Sequence, residues 1–234
     1  MMMDNSLSEE ILVARALLYR FLALAFHEPG EPLIALLANQ EQLGALEAAA
    51  GAVDQFAESD AISPALNDLL RVTPPPGWPV RELRVEYTRL FIGPGRMPCP
   101  PYESVYDRQR PEPDRGTVFG PSARKMEEVL SDEGLVVDLG RAELADHVAI
   151  ELEFMYYLLS RAVGGDAGPD AGYLYRSDEF LQQRLAGWLP RFGERVLKST
   201  SHPFYRRLGS LLAALIRLEA ELFLQDCERD ALPA

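Results

Sequence analysis

Cysteine is scarce: Cys99 and Cys227 are the only two in 234 residues. They stand far apart and match no zinc-ligand spacing. Two thiols in a chain of this length do not make a disulfide scaffold, so a reducing compartment is the simplest expectation. Histidine numbers three, and of these His27 and His202 have no ligand-like neighbours in the sequence. A long uninterrupted apolar run is missing too. Residues 11–26 are broken by Arg15 and Arg20, and residues 208–224 by Arg217, Glu219 and Glu221, which excludes a span of ~20 apolar residues and hence stable membrane insertion. The opening residues, Met1 to Ser6, lack a basic region followed by an apolar stretch, so no secretory signal is expected. Positive charge is in deficit, with 23 Lys and Arg against 36 Asp and Glu and a formal net charge of -13. That balance opposes binding to phosphate backbones and speaks against nucleic acid as a partner. It suits a basic peptide, although ordinary acidic proteins share it. Finally, no period-two alternation bounded by hairpin turns occurs, which leaves an all-α class.

What is present fits that class. Hydrophobic residues make up 47% of the chain, enough to bury a core in one helical body covering residues 1–234. Ser6 and Glu9 form a capping box, and Leu7, Ile11, Leu18, Phe21 and Leu22 follow at helical spacing, predicting a helix of about five turns that stops near His27-Glu28-Pro29-Gly30. Pro32 suits the start of a second helix. Residues 41–58, rich in Ala, Leu and Glu, predict a third, weakened by Gly44 and Gly51. A fourth is expected over 64–72. The run Thr73-Pro74-Pro75-Pro76-Gly77 then breaks the chain, and Pro79 opens a helix carrying Leu83, Tyr87, Leu90 and Phe91. Residues 93–101, with four prolines and two glycines, predict a stiff extended loop. A second break at 111–116 precedes a helix from Pro121 to Gly134. A long helix over 141–163, a flexible loop over 166–172, a helix over 178–198 interrupted at Pro190, and a last helix over 203–227 complete the pattern. Two helical halves joined by a proline-rich hinge are the alternative organisation.

Several segments invite a chemical reading. Gly93-Pro94-Gly95 looks like a phosphate loop, but its proline lacks the N–H donors a phosphate cradle needs, and no Gly-Lys-Ser/Thr follows. Ser104 lacks a nucleophile elbow, and Cys99 is flanked by prolines with no base in sight. Asp146 and His147 enter a helix with Glu151 downstream, and His147 and Glu151 at i,i+4 share a face. This leaves open a metal- or nucleotide-dependent enzyme using Asp146, His147 and Glu151, although a di-metal bundle needs Glu-x-x-His twice and the sequence has it nowhere. The competing reading is a helix cap by Asp146 and a hydrogen-bonded His147. Tyr87, Leu90, Phe91, Tyr102 and Tyr106 stand close to Glu86 and Glu103. Aromatics with polar tips beside carboxylates are what a groove for an apolar, basic peptide would use, and they also fill cores.

Glu86-Tyr87-Thr88-Arg89-Leu90-Phe91-Ile92-Gly93-Pro94, followed by Pro98 and by Pro100-Pro101-Tyr102-Glu103-Ser104-Val105-Tyr106, resembles the first signature of the TorD/DmsD/NarJ redox-enzyme maturation chaperones. Asp146-His147 and Glu151-Leu152-Glu153-Phe154-Met155 resemble the second, in the same order and separation. Trp188, Pro190 and Phe192 resemble a later helix pair of that family. Where members commonly place a proline just before the Asp-His pair, this chain has Leu144 and Ala145. The resemblance implies an all-helical, TorD-like cytoplasmic chaperone without enzymatic activity or cofactor. Its implied partner is the precursor of a molybdopterin-dependent oxidoreductase, bound through the twin-arginine signal peptide or the catalytic subunit and retained until cofactor insertion. The implied recognition residues are Tyr87, Leu90, Phe91, Pro101, Tyr102, Asp146 and His147; since paired arginines call for acidic partners, Glu86, Glu103, Asp146 and Glu151 are the candidate carboxylates. An assembly factor that binds only the folded catalytic subunit is the further alternative. Monomer and domain-swapped dimer both remain open.

Overall fold

The computed structural model describes residues 9–72, 80–93, 95, 97–108, 116–137, 144–164 and 168–230, with side chains through residue 224. Ser6, the break at 73–77 with Pro79, Pro94, and most of the second break lie outside the described residues. Among the described residues, eleven α-helices and two π-helical turns run in the order α1 Glu9–Phe26, α2 Glu31–Ala38, α3 Gln40–Phe56, α4 Ile62–Leu70, α5 Val80–Tyr87, π turn Thr88–Ile92, α6 Glu103–Tyr106, α7 Pro121–Asp132, α8 Val148–Ala162, α9 Ala171–Phe180, π turn Leu181–Leu185, α10 Ala186–Ser199 and α11 Pro203–Asp230. Tyr102 and His147 form an isolated antiparallel β-bridge, and among the described residues there is no β-strand. The all-α expectation is borne out.

Two helices form the centre. In α1, Leu12, Leu18, Tyr19, Leu22 and Phe26 are buried together with Ala14, Ala16 and Ala25, so the helix is apolar almost all round, as an interior helix must be. It packs along α8, whose Val148, Leu152, Phe154, Met155 and Leu159 are likewise buried. Around this pair, α3 lies on α1, α4 bridges α3 and α11, and α9 lies on α8. The core is continuous through all of them.

Local chemistry sets most boundaries. Asn39 caps α3, its side chain accepting from the N–H groups of Glu41 and Gln42 at 3.0 and 3.1 Å. The buried Asp54 carboxylate accepts from Ile62 and Ser63 N–H at 2.9 and 2.7 Å, which starts α4 two residues before the predicted Pro64. Gly134, at φ 70°, closes α7 while the Leu135 N–H returns to Leu130 O at 2.9 Å. The tightest packing joins α10 and α11. A Cβ built on Gly193 would lie 2.5 Å from the Gly209 carbonyl oxygen, and one on Gly209 2.6 Å from that of Gly193. Only glycine permits the two backbones to approach so closely.

A buried ion cluster ties the ends of the chain together. Arg15 donates to both oxygens of Glu219 at 2.9 and 3.2 Å, and the Tyr19 hydroxyl donates to the same carboxylate at 2.7 Å. Burial, with the Glu219 charge adding to it, holds Tyr19 well above the ordinary phenol value.

Three expectations need correction. The helix predicted from 141 begins at Val148, because residues 144–147 form a turn instead, with the His147 N–H bonded to Leu144 O at 3.0 Å. The segment predicted to loop until 172 enters α9 at Ala171, capped by Asp170, whose Oδ1 accepts from the Gly172 N–H at 2.8 Å. The interruption expected at Pro190 does not occur: Pro190 sits inside α10, and the departure from α geometry lies earlier, in the π turn Leu181–Leu185.

Candidate functional site

The proline-rich loop and the Asp-His turn close on each other like two halves of a clasp. The Val148 N–H donates to Pro101 O at 2.8 Å and the Glu103 N–H to Asp146 O at 3.0 Å, flanking the Tyr102–His147 bridge. Asp146 then reaches across with its side chain, Oδ2 accepting from the Ser104 N–H at 2.9 Å. It thereby caps α6 from a position 42 residues away. His147 caps its own helix, Nδ1 accepting from the Ala149 N–H at 3.2 Å, so Nε2 carries the proton of the neutral ring. Its ring meets Tyr102 edge-on at 5.3 Å and stacks on His27 at 6.4 Å. His27 in turn pairs through Nε2 with Glu153 Oε1 at 2.8 Å.

Beneath the clasp lies a buried charge network. Arg184, from the second π turn, pairs with Glu103 of α6, donates to Glu151 Oε1 of α8 at 3.1 Å, and donates to Ser122 O of α7 at 3.1 Å. The Trp188 indole N–H completes it by donating to Glu151 Oε2 at 2.9 Å. Four helical elements therefore meet on one guanidinium. Burial pushes the Glu151 carboxyl well above the ordinary carboxylate value, and the nearby Glu103 charge pushes it further, against the opposing pull of Arg184. Glu103 is raised as well, chiefly by burial.

The ten sequence-derived site residues divide into three groups. Pro101, Tyr102, Glu103, Asp146, His147 and Glu151 come together at the clasp. Of these, Tyr102 and Glu103 are part-exposed, whereas Asp146, His147 and Glu151 are 0%, 2% and 0% exposed. Tyr87, Leu90 and Phe91 do not line an open groove in this structure but sit in the core. The Tyr87 hydroxyl donates to Phe26 O at 3.3 Å, and Phe91 packs among Phe26, Phe192 and Tyr205 with ring centroids 5.7–6.2 Å away. Burying them against the helices below gains more than presenting them to water. Glu86 stands apart, bound by the Arg89 guanidinium and the Thr200 hydroxyl. Burial alone would raise its carboxyl, but those hydrogen bonds outweigh it and hold the value below the ordinary one.

Asp146, His147 and Glu151, the trio of the enzyme alternative, are each committed to an internal partner. They point to three different places, the Ser104 N–H, the Ala149 N–H, and the Arg184–Trp188 pair, and so converge on no common position for a reacting group. Among the described residues no group of three or more His, Cys, Asp or Glu could hold a metal ion. Among the same residues no helix is long and apolar enough to cross a membrane. Sequence reasoning missed Arg184 and the pairing of His27 with Glu153. The i,i+4 spacing of Arg184 and Trp188 places both on one helix face, a signal that was available.

The profile of the nitrate reductase delta subunit family matches residues 36–194. The chain belongs to that family. The TorD/DmsD/NarJ resemblance carried by the two signatures is thereby borne out. Relatives of this nitrate reductase delta subunit member include the protein named chaperone protein TorD from Vibrio parahaemolyticus, 28% identical over 145 residues that cover 61% of this chain and 65% of the relative. TorD from Vibrio vulnificus YJ016 is 29% identical over 171 residues, 71% of this chain and 77% of the relative. The Tat proofreading chaperone DmsD of Salmonella typhi is 28% identical over 140 residues, 59% and 61% of the two chains. The chain thus spans just under two-thirds of the Vibrio parahaemolyticus protein. A crystal structure from Archaeoglobus fulgidus, provisionally assigned as a redox enzyme maturation protein, matches with a TM-score of 0.43 at 22% identity over 90% of this chain and 93% of that one.

Proposed function

We propose that this protein is a cytoplasmic chaperone without catalysis of its own. It binds the precursor of a molybdopterin-dependent oxidoreductase through its twin-arginine signal peptide and holds it until cofactor insertion, before export. The whole chain acts as one helical unit. The observation that carries this reading is that the two segments bearing the family signatures are the two that clasp. At their seam Tyr102 and Glu103 stay part-exposed above the buried Asp146, His147 and Glu151. An accessible aromatic beside a carboxylate suits a guanidinium with an apolar flank. Of the ten candidates, we assign direct contact to Tyr102, Glu103 and Glu86, whose side chains are part-exposed. Pro101, Asp146, His147 and Glu151 hold that surface in shape, and Tyr87, Leu90 and Phe91 support it from the core. The -13 charge of the chain favours approach of a basic segment.

The test is capture from the cells that make the protein, followed by calorimetry. The expected result is copurification of a molybdoenzyme precursor and saturable binding of a synthetic peptide of its signal segment. Binding to the mature catalytic subunit alone, with none to the peptide, would replace this reading with an assembly factor for the folded subunit.

A further inference from the structure

Because Tyr87, Leu90 and Phe91 are committed to the core, the apolar part of a client segment needs another seat. One open trough of about 530 Å³ lies against α1, α2, the start of α3, and α8, within the roughly 300–1,000 Å³ typical of binding pockets. Ala23 and Leu24 of α1 form its floor, Pro32, Ala35 and Leu36 of α2 one wall, and Tyr156 of α8 the other. The polar groups stand apart from these. Asn39 is occupied in capping α3, and the Arg20 guanidinium lies over the Tyr156 ring at 5.9 Å. Glu153 is different. Its side chain is 53% exposed, and only Oε1 is engaged, by His27, leaving Oε2 directed to no hydrogen-bond donor among the described residues.

Resting on the reading of the chain as a signal-peptide chaperone, we infer that this trough seats the apolar stretch of the client's signal segment, with Glu153 facing its arginines. Three features select this occupant. Ala23, Leu24, Pro32, Ala35 and Leu36 present hydrocarbon, with Arg20, Asn39, Gln42 and Glu153 as the polar lining, which suits an apolar helix or strand with a charged end laid in a groove. The free oxygen of Glu153 stands where α8 meets the end of α1, while Arg20 occupies the other end of the α1 stretch. A segment whose positive charge precedes its apolar residues is therefore attracted at one end and repelled at the other, which fixes its direction. The trough also adjoins the clasp through an unbroken row of side chains, Glu153 to His27 to His147 to Tyr102. A segment in the trough thus reaches the accessible seam with its basic end.

The experiment uses the full chain and a fluorescent synthetic peptide of the signal segment of the copurifying precursor, read by anisotropy. Ala35 is exposed on the trough wall, so Ala35→Trp fills the trough without touching the core. It should weaken binding roughly tenfold or more, the equivalent of one lost apolar side chain, with an unchanged melting temperature. Ala35→Arg, which places a cation on the wall, is the second variant should the first disturb folding, and should weaken binding at least as much. Glu153→Gln keeps the acceptor for His27 and should weaken binding about two- to fivefold, with a shallower dependence on salt. Peptide binding by the unaltered chain that neither Ala35 variant changes would overturn the trough and leave the chaperone reading standing. No peptide binding by the unaltered chain would overturn both.

Discussion

Replacing Asp146 with alanine removes one acceptor and strands one donor. The Ser104 N–H, buried beneath the clasp and now bonded to Oδ2 at 2.9 Å, would lose its partner where water does not reach. An unsatisfied buried donor costs about 1–3 kcal/mol, and loss of a side-chain cap about 0.5–2 kcal/mol for the same bond counted from the helix. One term acts the other way: the second oxygen, Oδ1, is buried with no partner among the described residues, so its removal relieves an existing penalty. A net cost of about 2 kcal/mol follows, which in a chain of this size lowers the melting temperature by about 4–8 °C. Asp146→Asn retains one acceptor oxygen and should lose about half as much. The assay is thermal unfolding followed by circular dichroism at 222 nm, with urea titration as the check. Melting of the alanine variant within a degree of the parent would refute the account of Asp146 as a cap supplied from outside α6.

The Glu151 carboxyl, raised in the folded state, binds its proton more tightly there than in the unfolded chain, whose glutamates titrate near 4.3. Its stabilising contribution is therefore complete below that value and is lost as pH rises toward the folded-state value. Urea unfolding across this range should show stability falling with pH, and Glu151→Gln should flatten that fall; an unchanged slope would contradict the assignment. Arg184→Met leaves Glu103 and Glu151 facing each other without a cation and should cost about 3–5 kcal/mol by the same urea titration. Gly193→Ala forces a methyl group against the Gly209 carbonyl and should cost about 1–3 kcal/mol. Gly44→Ala in α3, where an added Cβ meets nothing within 4 Å, should instead stabilise by about 0.4–1 kcal/mol; melting temperatures of the two variants check both signs.

The helical class and most of the early boundaries were legible because local residues set them. Pro29-Gly30 ends α1, Pro32 opens α2, and Pro121 and Gly134 bracket α7. The boundaries that were misread depend on distant partners. α6 is only four residues long and exists because Asp146 caps it across the fold, something no window around Glu103 can report. α8 starts late because His147 caps it from a turn that sequence periodicity runs straight through. The candidate site shows the same division. The two signatures marked where the clasp forms, yet Tyr87, Leu90 and Phe91 read equally as groove and as core, since an apolar face carries no mark of what covers it. Arg184 shared a helix face with Trp188, but its partners are two carboxylates on other helices, which that spacing does not report.

The ion cluster between the first and last helices has a bearing on how the chain is made. Arg15 and Glu219 are 204 residues apart, and ribosomes add about 5–20 residues per second. Roughly 10–40 seconds therefore pass between the synthesis of the arginine and that of its partner. Throughout that interval α1 lacks its counter-ion, and until α8 has been made the apolar surface that α8 covers is open to any other chain nearby. A protein whose proposed task is to shelter incomplete partners itself lacks this buried pair until α11 leaves the ribosome.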